Sequence, residues 1–316
     1  MILLKNLDKV PPLASPVILT IGNFDGLHRG HKRILRKVIS RAREEGGTSV
    51  VVTFEPHPLK VLHPRQAPLL IQTLSQKRDI LAHLGIEVLL EVHFSKSFGQ
   101  VSAEAFVRHL AERLHPKEIY IGEDFRFGHN REGDIAFLQG LGEELDYKAT
   151  SFPKLQLDGA EVSSTRIRQL LAEGEMEKAV RLLGRPYVVE GLVERGDGRG
   201  HTLGFPTANL AIENELIPAL GVYVVAVDVG ESVLLPGVAN LGKRPTFGGE
   251  AVAVEAHILE GARDLYGQRV RILFFKFLRP EQKFSSAEEL AGAIQKDVQS
   301  ARDYFKGAVL RRRMYY

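Results

Sequence analysis

The sequence predicts an α/β domain built on a parallel sheet, followed by a mainly β domain whose strands form an antiparallel barrel with a C-terminal helix. Three observations carry that prediction. In the first half of the 316 residues, apolar runs of strand length alternate with amphipathic helical patterns. In the second half, short apolar runs are broken by Gly and Pro. One helical pattern then returns over about 286–305, with Leu290, Ile294, Val298 and Ala301 marking its inner face.

The first strand candidate is 17–21, and 49–54, 87–92 and 118–121 follow. Their near-continuous apolar, β-branched character suits parallel strands covered on both faces. Helical patterns lie between them near 30–44, 75–84 and 102–113. In the first, Ile34, Leu35, Val38 and Ile39 recur at the spacing of one helix face. Two more helical patterns, about 164–173 and 175–183, lead to Gly184-Arg185-Pro186, where the character of the chain changes. The expected domains are therefore 1–185 and 186–316. Strand candidates beyond that point are 188–194, 221–229, 233–241, 251–259 and 270–277.

Hydrophobic residues make up 44% of the chain and charged residues 26%, the balance of a globular protein. No cysteine is present, which excludes disulfides, a thiol nucleophile and a Cys-based metal site. The net charge is +3, but Lys and Arg are scattered, apart from Arg311-Arg312-Arg313. Nucleic-acid binders usually concentrate such charge on one element. The mild excess fits a handler of polyanionic nucleotides as well as RNA binding, and charge alone decides nothing; taken with the phosphate-site motifs of the chain, no nucleic-acid partner is expected. No apolar run is long enough to span a bilayer, and Met1–Pro12 lacks a signal-peptide pattern. The expectation is a cytoplasmic protein without a membrane partner, monomeric or weakly self-associating.

The densest segment is Gly22-Asn23-Phe24-Asp25-Gly26-Leu27-His28-Arg29-Gly30-His31. It joins the first strand candidate to the first helix. On a first helical turn, residues three apart share one side, so His28 and His31 would lie together. Backbone N–H groups and the positive end of the helix dipole attract phosphate there. These features predict a site that holds a triphosphate and stabilises charge as one phosphorus centre is displaced. Phe54-Glu55-Pro56-His57-Pro58 and Gly122–Asp134 also follow strand candidates directly. In open parallel sheets ligands bind beyond the carboxyl ends of the strands, so the three segments should meet on one rim. Val162-Ser163-Ser164-Thr165-Arg166-Ile167-Arg168 offers hydroxyls and arginines that either cap a helix or bind phosphate.

A second dense segment runs from Gly196 through Gly198, Gly200, His201 and Gly204 to Phe205-Pro206-Thr207-Ala208-Asn209. Thr207 and Asn209 share one face under the two-residue period of a strand. A hydroxyl and an amide oxygen suit Mg²⁺, which keeps waters and takes further ligands from phosphate. Read from the residues alone, both could instead simply end a turn. Gly237–Arg244 has the spacing of a phosphate loop, but Arg244 replaces the Ser or Thr and Pro245 follows. That reading is rejected. Glu255 interrupts an apolar strand pattern, so it is either surface-exposed or functional.

Together these motifs resemble two signature sets in one order. Gly22–His31 is similar to the signature of the HxGH nucleotidylyltransferases. Its longer form resembles that of the bacterial bifunctional riboflavin kinase/FMN adenylyltransferases, the prokaryotic FAD synthetases. The resemblance implies a Rossmann-like first domain in which His28 and His31 are catalytic. It also implies that Gly22, Asn23, Phe24, Asp25, His57, Asp124, Phe127, Ser163, Ser164, Thr165 and Arg168 bind nucleotide or flavin. For the barrel it implies Glu255 as the catalytic carboxylate and Thr207 and Asn209 as Mg²⁺ ligands. Gly198, Gly200, Gly204, Pro206, Asn240, Arg244, Arg279 and Phe284 would bind nucleotide or flavin. The implied substrates are riboflavin, FMN and ATP, with Mg²⁺ required, FAD as product and no covalent enzyme intermediate. Arg195 and His201 depart from the family pattern, which often has His and Arg at these positions. The alternatives are a chain keeping only one activity, and a non-enzymatic flavin- or RNA-binding protein.

Overall fold

The computed structural model of the protein describes residues 1–196, 204–246, 249–260 and 263–311, with side chains at all of these except 244–246 and 249–251. Gly198, Gly200 and His201 lie outside the described residues, as does the side chain of Arg244. The chain forms two compact units, 1–69 with 74–162, and 70–73 with 163–316.

The first unit is built on six strands, β1 Ile2–Leu4, β2 Val17–Ile21, β3 Thr48–Glu55, β4 Val88–His93, β5 Pro116–Gly122 and β6 Lys148–Phe152. Their order is β1-β4-β3-β2-β5-β6 and every pairing is parallel. The helices are α1 Arg29–Glu44, α2 Pro58–Leu62, α3 Leu74–Leu84, α4 Ala103–Leu114 and α5 Ile135–Gly142. Strand β2 is buried along its whole length, and its side chains alternate between two cores. Val17, Leu19 and Ile21 pack with Val50, Val52, Leu90 and Leu110 on one face. Ile18 meets Ile34 and Val38 of α1 on the other. Each fully buried aliphatic side chain contributes about 1.5–3 kcal/mol relative to exposure. The predicted parallel sheet is therefore present, with two strands added at its edges. Neither β1 nor β6 is buried throughout, so neither carries a continuous apolar run.

The second unit holds α6 Ser164–Ala172, α7 Met176–Leu183 and a closed barrel. Its strands are β9 Tyr187–Glu194, β10 Ala208–Ile212, β11 Gly221–Asp228, β12 Leu235–Thr246, β13 Gly249–Ile258 and β14 Arg269–Arg279, after a small ribbon of β7 Gln156–Leu157 and β8 Ala160–Glu161 in the first unit. The barrel order is β10-β13-β12-β11-β14-β9 and all its pairings are antiparallel. Alternation sorts its side chains. Tyr187, Tyr223 and Phe274 are fully buried and in ring contact inside the barrel. Val188, Val224, Val238, Leu273 and Phe275 point the other way and pack on Val298, Ala301 and Phe305 of the helix Ala287–Tyr304 and its end.

The expected division at 185/186 falls where the architecture changes, whereas the second compact unit begins at Ser163. The amphipathic α7 buries Ala179, Leu182 and Leu183, and it packs with β9 and β14. The segment Leu70–Thr73 also belongs to this unit. The Thr73 hydroxyl donates to the Glu190 carboxylate, and Arg271 Nε donates to its other oxygen at 2.8 Å. Arg185 donates to Gln72 Oε1 at 3.2 Å, and the Leu216 N–H donates to the Leu70 carbonyl at 3.3 Å. Glu190 is completely buried, so this carboxylate depends on Arg271 and Thr73 for compensation.

Candidate functional sites

Beyond the carboxyl end of β2, the chain turns sharply before α1 begins. Phe24 and Leu27 have φ of +48° and +41°, a region costly for side-chain-bearing residues. Both side chains are buried, and that packing holds the turn against its strain. The Gly22 N–H is fixed to the Val52 carbonyl of β3 at 3.0 Å. His28 is the N-cap of α1, its Nδ1 accepting from the His31 N–H at 3.3 Å. An accepting Nδ1 puts the neutral ring's proton on Nε2, which is then a donor. The two imidazoles stack with centroids 3.6 Å apart, and the edge of Phe24 meets His31 at 5.3 Å. The motif histidines are therefore brought together as the spacing predicted.

Burial pushes His28 down to about 4, against the opposing pull of the Asp124 charge. Burial also holds His31 well below the usual imidazole range, with His28 and Lys77 acting in the same direction. Both rings are neutral at pH 7 and act as hydrogen-bonding groups. Asn23 Oδ1 and His31 Nδ1 are fully enclosed without a hydrogen-bond partner among the described residues. Enclosed, unpaired polar atoms at a helix N-terminus suit a polar ligand that supplies the missing partners.

A stability effect follows from His28. As pH falls below 6.5 the unfolded chain takes up the proton first, while folded His28 resists until about 4. Its contribution is therefore complete above pH 6.5 and is lost progressively towards pH 4, by about 3 kcal/mol. Urea midpoints of the parent and His28→Asn, measured at pH 7 and 4.5, should show a smaller loss in the variant. Equal losses would show that His28 titrates normally.

The other rim residues are placed differently. His57 caps α2, its Nδ1 accepting from the Leu59 N–H at 3.3 Å. Asp124 is exposed, with Lys154 Nζ 3.6 Å away. Phe127 is buried among Phe106, Phe125 and Phe137, with centroids 5.9–6.3 Å apart. Asp25 is buried in the turn. In the second unit, Ser163 caps α6, its Oγ accepting from the Arg166 N–H at 3.3 Å. Ser164, Thr165 and Arg168 lie within the first two turns of that helix, Ser164 and Arg168 on one face.

On the barrel, strand register assembles residues distant in sequence. Asn209 of β10 lies opposite Glu255 of β13, which lies opposite Asn240 of β12. Asn240 pairs with Val222 of β11, and Val222 with Arg279 of β14. Directly opposed residues share a face, with Cα atoms about 4.5–5.5 Å apart. Asn209, Glu255, Asn240 and Arg279 therefore form one row across the barrel. Glu255 is half-buried, while its neighbours Val254 and Ala256 are buried in the interior. Arg279 donates to Asp297 of the final helix through Nε at 3.1 Å and Nη2 at 2.7 Å, and its guanidinium lies 5.6 Å from the Phe284 ring. The Pro206 carbonyl accepts from His257 Nδ1 at 2.8 Å. Thr207 directly precedes β10, and Gly204 has φ of +82°.

Lys77 escaped the sequence reading, and Gly196, which opens the second dense segment, was given no role of its own there. Gly196 lies under the Asn209 amide, where a Cβ would come within 2.2 Å of Nδ2 and 2.5 Å of Cγ. Lys77 of α3 is buried and donates to the Asn23 carbonyl at 3.0 Å. Its signal was available: Leu74, Lys77, Ile80, Leu81 and Leu84 follow the spacing of one helix face, so Lys77 lies on an apolar stripe.

Comparisons with known proteins follow the same two-part division. The family model for FAD synthetase matches residues 11–166, and that for riboflavin kinase matches 183–305. The chain is 40% identical over 290 residues to the bifunctional riboflavin kinase/FMN adenylyltransferase of Escherichia coli (strain K12), covering 91% of this chain and 92% of the relative. It is also 40% identical over 303 residues to the protein of that name from Pseudomonas fluorescens, covering 95% and 96%. A crystal structure described as a macrolide-efflux protein from Streptococcus pneumoniae has a TM-score of 0.86 and 31% identity, covering 96% of this chain and 98% of that one. Among the described residues no helix is long and apolar enough to cross a membrane.

Proposed function

The chain belongs to the family of bifunctional riboflavin kinase/FMN adenylyltransferases, and from that premise we propose how its residues divide the two activities. Residues 186–316 phosphorylate riboflavin with ATP to give FMN. Residues 1–185 transfer AMP from a second ATP to FMN, giving FAD and pyrophosphate. The observation that carries the kinase assignment is the row Asn209–Glu255–Asn240–Arg279, which sets a carboxylate among amides and a guanidinium on one barrel face.

In the kinase step the nucleophile is a neutral ribityl hydroxyl. Glu255 accepts its proton as the oxygen bonds to the γ-phosphorus of ATP and ADP leaves. Thr207 and Asn209 supply neutral oxygens suited to Mg²⁺, and the buried amide of Asn209 stands beside the Glu255 carboxylate in register. A bound Mg²⁺ would neutralise phosphate charge there. Matches to the family motifs support a flavin-binding role for Arg279 and Phe284 and a nucleotide-binding role for Gly198, Gly200, Gly204, Pro206, Asn240 and Arg244.

The adenylyl step has a phosphate monoester as nucleophile. Its second pKa is about 6, so it is mostly a dianion at neutral pH and needs no general base. It attacks the α-phosphorus of ATP and pyrophosphate leaves. Neutral His28 and His31 donate hydrogen bonds to the developing charge, which fits their depressed basicity. Gly22, Asn23, Phe24 and Asp25 shape the turn around the nucleotide. His57, Asp124 and Phe127 add to the binding surface, and the family motif matched by Ser163, Ser164, Thr165 and Arg168 supports a nucleotide-binding role for them. ATP as co-substrate supports a cytoplasmic location.

Purified chain with riboflavin, ATP and Mg²⁺, sampled over time and separated by chromatography, should give FMN first and FAD after it. Absence of any conversion would overturn the reading. The same assay tests Gly196→Ala, whose added methyl drives the Asn209 amide from its place. Misplacing a ligating group by about 1 Å costs on the order of a hundredfold in rate. FMN formation should therefore fall about ten- to a hundredfold while FAD formation from added FMN persists. An unchanged kinase rate would show that Asn209 is not required where it stands.

A further inference from the structure

Lys77 is a buried cation of the first unit that the two-step chemistry leaves without a task. Its Nζ donates to the Asn23 carbonyl at 3.0 Å, inside the turn between β2 and α1. That carbonyl also receives the Thr53 hydroxyl of β3, at a longer 3.4 Å. Charged groups surround the ammonium: Asp25 from the turn, Glu55 from the end of β3 and Glu91 from β4. Glu91 is already held by Arg78, through Nε at 2.7 Å and Nη2 at 2.6 Å. Lys77 is therefore the α3 cation directed at the turn, while its neighbour Arg78 serves the sheet.

The turn needs such an anchor. Between Asn23 and His28 the backbone passes through positive φ at Phe24, Gly26 and Leu27, a path an unrestrained chain avoids. A charge-assisted hydrogen bond to the Asn23 carbonyl fixes the plane of the Asn23–Phe24 peptide at the start of that path. The same ammonium faces His31 and helps to keep that ring neutral.

We propose that Lys77 is a positioning residue for adenylyl transfer, locking the Asn23–His28 turn in its reactive geometry from the α3 side through the Asn23 carbonyl. The proposal rests on the reading that this turn is the adenylylation site. Displacement of a reacting group by about 1 Å costs about a hundredfold in rate. Lys77→Met keeps the side-chain volume and removes the charge, so FAD formation from FMN and ATP should fall about a hundredfold. FMN formation from riboflavin in the same preparation should stay within about twofold, as the kinase residues all lie elsewhere.

A packing role would predict the same loss, so a chemical rescue separates the two. The chain has no cysteine, so Lys77→Cys can be alkylated with 2-bromoethylamine in denaturant and refolded, restoring an ammonium at nearly the original reach. Parent chain carried through the same cycle is the control. Recovery of FAD formation at least tenfold above the unalkylated variant supports the proposal. Alkylated chain that makes FMN but no more FAD than Lys77→Cys overturns it, as does a Lys77→Met chain within about threefold of parent. If Lys77→Met loses both activities through misfolding, the alkylation result decides. A pH profile adds a readout that packing alone would not move. Without the ammonium His31 becomes easier to protonate, so the acid limb of FAD formation should shift to higher pH. If the parent itself makes no FAD, the adenylylation reading fails rather than the role of Lys77.

Discussion

Glu255→Ala is expected to lower FMN formation by about 10²–10⁴-fold, the range supplied by a positioned proton acceptor. FAD formation from added FMN should stay within about twofold of the parent. The argument begins with the strand. Val254 and Ala256 are buried in the barrel, and the pleat turns Glu255 to the opposite face beside Asn209 and Asn240. A half-buried surface carboxylate contributes little to stability, so the variant should fold with a melting temperature close to the parent. Loss of rate would then report chemistry. Separate assays of the two steps on one preparation make the comparison, and Glu255→Gln refines it by keeping shape without basicity. Unimpaired FMN formation by Glu255→Ala would remove this carboxylate from the mechanism.

His28→Ala should produce the mirror result, FAD formation falling about 10²–10³-fold while riboflavin is still phosphorylated and FMN accumulates. Two roles meet in this side chain and have to be separated. Its Nδ1 caps α1, and loss of a cap costs about 0.5–2 kcal/mol of stability. Asn is a good N-cap but cannot place a donor where the imidazole Nε2 lies. His28→Asn should therefore regain the stability lost in His28→Ala without regaining FAD formation. If His28→Asn recovers activity in parallel with melting temperature, capping was the role and the catalytic assignment fails.

The sequence made some of this visible for physical reasons. Strands β2 and β3 are covered on both faces, so their continuous apolar runs announce them. Edge strands β1 and β6 carry no such run. Strand β10, Ala208–Ile212, mixes Asn and small residues because one of its faces belongs to the candidate site. His28 and His31 were legible because helix spacing is a local rule. The row formed by Asn209, Asn240 and Glu255 was not, since register is set by pairing between segments far apart in the chain. Lys77 and Gly196 act on Asn23 and Asn209 from a distance in sequence, and only the folded chain brings each pair together. The compact-unit boundary was hidden for a related reason: α6 and α7 look like a continuation of the α/β pattern, and packing alone assigns them to the barrel.

The assignment of Leu70–Thr73 to the second unit has a consequence for inheritance. A genetic crossover anywhere between Thr73 and Arg185 would join Leu70–Thr73 of one parent to the barrel of another. Gln72 would meet a foreign partner in place of Arg185, and Thr73 one in place of Glu190. Where two relatives differ at these partners, recombinant halves would be mismatched even when the junction itself is seamless. Matched exchange of the second unit needs two additional breakpoints around these four residues.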